Sequence, residues 1–75
     1  MAPSIGRIVH YYETPTANPL AAIITAVWSM RCVNLAIFNP SGQAMSDPPT
    51  SVVLVGEAES PPTGGRFCTW PPRVE

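Results

Sequence analysis

Arginine set beside aromatic rings is the combination in this sequence with the clearest binding chemistry. Arg7, His10, Tyr11 and Tyr12 form one cluster near the N-terminus, and Phe67, Trp70 and Arg73 form another near the C-terminus. A flat ring stacks on a base, and a guanidinium forks onto phosphate or carboxylate. Arg7, His10, Tyr11, Tyr12, Trp70 and Arg73 are therefore the candidate ligand-binding residues, for a small anionic ligand of nucleotide type. A plainer reading stands beside this one. In it Tyr11, Tyr12 and Trp70 cap a small core while Arg7 and Arg73 are solvated.

Catalytic chemistry has few candidates. The chain holds one histidine and no lysine, and no nucleophile elbow, zinc-protease motif, Cys-x-x-Cys pair or phosphate loop occurs. His10 and Glu13 are separated by an odd number of positions, so on an extended strand they face opposite ways and make a poor base and orienter. Cys32, Cys68 and His10 would be a thin ligand set for zinc, without the tight spacing such sites use. The expectation is a non-enzyme with no metal and no cofactor.

The charge balance narrows the partner. Four arginines face five carboxylates, for a net charge of -1. Duplex nucleic acid is held by many cations placed on phosphates, which this chain lacks. A small nucleotide needs only one or two cations per subunit, and neighbours in an oligomer can supply more. A homo-oligomer is expected on stability grounds too. A chain of 75 residues buries only about 60% of its unfolded surface, so it gains from a partner.

These residues must be positioned by short elements, because ten prolines divide the chain and proline costs about 3 kcal/mol inside a helix. Runs rich in Ile, Val, Tyr, Phe and Trp lie between the prolines at 5–12, 21–28, 32–38, 51–55 and, more weakly, 66–70. Such runs read as strands. In the third, Val33, Leu35 and Ile37 alternate with Cys32, Asn34 and Ala36, which places Asn34 near solvent or against a backbone group. A helix over 19–28 is the rival to the second strand. Asn18-Pro19 is a good helix start, and Leu20, Ile23, Ile24 and Val27 have helical spacing. The β-branched content and the short link at 29–31 favour a strand in a hairpin. Asn39-Pro40-Ser41-Gly42 reads as a turn, 43–50 as a loop of low order, and 57–65 as a second loop. The expected fold is all-β, a small twisted antiparallel sheet or partly open SH3-like barrel of four to five strands. Residues 1–75 form one domain with proline-rich terminal arms.

The N-terminus lacks the apolar stretch of a signal peptide, and the apolar run at 20–28 is too short for a membrane helix, which needs about 20 residues. Two cysteines do not make a secreted disulfide framework, so reduced thiols are the expectation and one bridge the alternative.

Four segments, in order, carry a resemblance: Ile5-Gly6-Arg7-Ile8-Val9-His10-Tyr11, Ala21-Ala22-Ile23-Ile24-Thr25-Ala26-Val27, Val33-Asn34-Leu35-Ala36-Ile37-Phe38 and Thr69-Trp70-Pro71-Pro72-Arg73. The chain resembles a family of small, mostly uncharacterised proteins encoded by tailed bacteriophages and prophages. It departs from their pattern near the end, where many members have two tryptophans and this chain has Phe67 and Trp70. The resemblance implies a phage protein acting in the bacterial cytoplasm or on the virion. The leading expectation is a homo-oligomer that sequesters a nucleotide-type signal of anti-phage defence. The alternatives are a capsid decoration or cement subunit, and an inhibitor that binds a host protein through a strand edge.

Overall fold

A computed structural model of the chain describes residues 2–56 and 65–71. Its strands are β1 (Ile8–Tyr12), β2 (Leu20–Ser29), β3 (Cys32–Ile37), β4 (Val52–Val55) and β5 (Phe67–Thr69). They close into a barrel in the order β1-β2-β3-β4-β5, with β5 pairing back onto β1. The all-β, SH3-like expectation is met, with two particulars that differ. The barrel is closed, not partly open. The pairing of β4 with β5 is parallel, while every other pairing is antiparallel.

The run over 20–29 is a strand. Its helical spacing is split by the sheet: Ala22 and Ile24 are fully buried, while Ile23 lies on the outer face. Two irregularities, at Thr25 and at Trp28, let this long strand bend and pair with both β1 and β3. Val9, Tyr11, Ala22, Ile24, Val33, Leu35, Ile37, Val52, Leu54 and Cys68 fill the interior, with Leu20, Met45 and Trp70 packed at its margins.

Two turns brace the ends of the barrel. The Arg7 N–H donates to Ser4 O at 3.2 Å, and Gly6 has φ 94°. That is the geometry of a type II turn, which favours glycine at its third position. The Asn39 turn forms as expected: Gly42 N–H donates to Asn39 O and Asn39 N–H to Gln43 O, both at 2.8 Å. Gly42, at φ 93°, supplies the left-handed residue that a type I turn with a bulge requires. The loop after it is tied down more than its composition suggests. Ala44 bridges to Phe38, and Met45 N–H donates to Ile37 O at 2.7 Å. Of the N-terminal arm, Pro3 is buried, so that part packs on its own barrel.

Candidate functional site

The two arginine–aromatic clusters meet because β1 and β5 are neighbours. The register pairs His10 with Thr69, Tyr11 with Cys68 and Tyr12 with Phe67. Continued beyond His10, that antiparallel pairing runs Trp70 alongside the start of β1, where Arg7 stands. The Arg7 guanidinium carbon sits 5.6 Å from the centroid of the Trp70 ring system, within reach of a cation–π contact. Trp70 packs on the margin of the core, and the backbone of Arg7 is pinned by neighbours. Gly6 N–H donates to Ile24 O at 2.8 Å, and Ile24 N–H donates to Arg7 O at 2.9 Å. The pair therefore stands on a rigid base at one end of the barrel.

At the other end of β1 the arrangement is different. Tyr12 and Phe67 stack on the outer wall, with ring centroids 4.8 Å apart and planes 10° from parallel. Phe67 is buried but stands on the face opposite Cys68, outside the interior cluster. His10 is half-buried on the same outer wall, beside Ala21 and Thr69.

Tyr11 belongs to the core. Its side chain is fully buried, so its ring is not offered to a ligand, against the expectation that grouped it with Arg7. Its hydroxyl donates to Glu13 Oε2 at 2.6 Å. Burial pushes the Tyr11 hydroxyl up to about 12, helped by the hydrogen bond and charge of Glu13 and opposed by the positive charge of Arg66. Glu13 is thus the partner of Tyr11. Arg73 lies outside the described residues.

A cleft of about 500 Å³ opens at this second end, lined by Glu13, Met45, Asp47, Pro48, Pro49, Thr50 and Arg66. Its two carboxylates outnumber its one arginine, which disfavours an anion there. The lining comes from three separate loops, and only the Pro48-Pro49 pair marks it in the sequence. Arg7 and Glu13 flank β1 on either side, roughly 20 Å apart at about 3.3 Å per extended residue. Of the described candidate residues, Arg7 and Trp70 therefore stand at one end, His10 and Tyr12 on the outer wall, and Tyr11 in the core.

Cys32 and Cys68 are free thiols. Cys68 points inward and Cys32 outward, which accounts for their not pairing. Burial pushes the Cys68 thiol up to about 12, so it stays protonated and unreactive at neutral pH. Among the described residues, no group of three or more His, Cys, Asp or Glu side chains could hold a metal ion. No helix among them is long and apolar enough to cross a membrane.

No protein-family model, curated protein or solved structure matches the chain.

Proposed function

We propose that this chain is a non-catalytic binding protein, phage-encoded as its resemblance implies, that works as a homo-oligomer and captures a small planar anion of nucleotide type. The observation that supports this reading is the Arg7–Trp70 pair. An indole offers a face on which a base stacks, for about 1–3 kcal/mol per base. A guanidinium carries a fork of donors suited to phosphate. Here the two lie next to each other on a closed barrel, Arg7 with its backbone hydrogen-bonded to Ile24 and Trp70 packed against the core. Such preorganisation spares a ligand part of the ordering cost of binding. The reading concerns the Arg7 end of the barrel, since the cleft at the Arg66 end is net acidic.

A thermal-shift screen against cyclic mononucleotides, cyclic dinucleotides and cyclic ADP-ribose-type compounds tests it. At one hundred times Kd a ligand stabilises the fold by about 2.7 kcal/mol. For a chain of this size that raises Tm by roughly 10–20 °C. At least one compound should do so, and Arg7→Ala should abolish the rise. Stabilisation by none of them overturns the reading.

A further inference from the structure

We propose that the outer wall of β1, β2 and β3 is the surface through which two copies of this chain pack together. This deepens the oligomer part of the proposed function and does not depend on the ligand.

The wall is defined by register. Ile8 pairs with Ile23, and Ile23 with Ala36, so these three form one continuous row on the outside of the barrel. His10, Ala21 and Phe38 stand in the next row, where His10 pairs with Ala21 and Phe38 N–H donates to Ala21 O at 2.9 Å. Ile8 is 59% exposed and Ile5, in the turn that leads into β1, is 72% exposed, while His10, Ile23, Ala36 and Phe38 are half-buried. Contiguous apolar surface of this kind on a small domain marks a contact site.

Charge selects the occupant. No residue of the five strands is Asp, Glu, Lys or Arg; among the described residues, the charged ones (Arg7, Glu13, Arg31, Asp47 and Arg66) all lie outside the strands. Ordinary exposed strands alternate apolar residues with charged ones, and strand edges use charge to prevent association. A partner with a charged face would desolvate its ions against the uncharged outward-facing residues of these strands, where burial of an unpaired charge is unfavourable. The partner face must be uncharged as well. A second copy presents such a face, free of like-charge repulsion, and a symmetric pair meets through the same patch on both subunits.

The size also suits a pair. A standard interface takes about 800 Å² from each partner, roughly a sixth of the 4982 Å² that this chain exposes. One side of a body measuring 31 × 30 × 25 Å is of that order.

Sedimentation velocity of the full chain from 1 to 100 μM, with far-UV circular dichroism of every variant, provides the test. The wild type should sediment at twice the 8.0 kDa of one chain. Ile8→Glu and Ile23→Glu should weaken the pair at least a hundred-fold, and the milder Ile8→Ser at least ten-fold. Val53→Glu, on β4 and away from the row of Ile8, Ile23 and Ala36, should leave it unchanged. A wild type that stays at 8.0 kDa throughout overturns both this inference and the oligomer part of the proposed function. A wild-type pair that persists in folded Ile8→Glu or Ile8→Ser overturns the assignment of the face alone. Binding of the wild type to lipid vesicles in place of self-association also overturns it.

Discussion

Arg7 and Trp70, from opposite ends of the chain, meet at one end of the barrel with the guanidinium carbon 5.6 Å from the ring centroid. The contact is worth about 0.5–1 kcal/mol at a partly exposed site. A double-mutant cycle with Arg7→Ala and Trp70→Ala, read by chemical denaturation, should return a coupling of that size. Arg7→Lys should keep part of it, because a lysine retains the charge but not the flat stacking surface. A coupling of zero would mean that the pair is merely adjacent.

Asn34 joins three elements through one atom. Its Oδ1 accepts from the Trp28 indole Nε1 at 3.0 Å and from the Ser51 backbone N–H at 2.8 Å. Asn34→Leu removes the acceptor and leaves the Ser51 amide without it, for a loss of about 1–3 kcal/mol. Asn34→Asp keeps an acceptor and should lose less. Urea midpoints of the two variants check the order. Ser51 itself has φ 55°, a left-handed conformation that costs a non-glycine residue about 1–2 kcal/mol, so Ser51→Gly should be neutral or slightly stabilising.

Phe67 is buried on the outer wall under its stack with Tyr12. Phe67→Ala should cost about 3–5 kcal/mol. A domain of this length has roughly 4–11 kcal/mol in all, at 0.05–0.15 kcal/mol per residue. The variant should therefore show a collapsed thermal transition, while Phe67→Leu folds with a lowered Tm.

Two raised groups set the alkaline limit of stability. Tyr11 goes from 10.0 to about 12 and Cys68 from 9.0 to about 12 on folding, in both cases chiefly through burial. Each keeps its proton in the folded state after the unfolded chain has lost it. Between the unfolded and folded values the unfolded chain binds fewer protons, so stability falls as pH rises. It should be fully present below pH 9 and decline from about pH 9 to 12. Urea midpoints across this range measure the slope. Cys68→Ala should flatten its first part, between pH 9 and 10, and leave the Tyr11 part in place.

The strands were legible because proline and turn residues delimit β-branched runs, and the alternation in β3 placed Val33, Leu35 and Ile37 inside as expected. The parallel pairing of β4 with β5 was not, since alternation reports which face a residue takes and not which strand lies beside it. Tyr11 and Tyr12 show the same limit. Neighbouring residues in a strand must face opposite ways, but both faces of β1 carry apolar and polar residues, so only the closed barrel decides that Tyr11 is the one inside. The Arg7–Trp70 pairing depends on the register between β1 and β5, a long-range relation that neither segment encodes alone. The acidic cleft is gathered from loops with no shared local pattern.

Capture of a nucleotide-type anion at the Arg7–Trp70 end stands or falls on isothermal titration of the wild-type chain with the best compound of the thermal-shift screen. Saturable binding is expected at a fixed ratio of ligand to subunit, weakened at least ten-fold by Arg7→Ala and by Trp70→Ala. Glu13→Gln, at the opposite end of β1, should leave the affinity unchanged. Binding indifferent to both Arg7 and Trp70, or no binding heat with any compound, would refute capture at this end of the barrel.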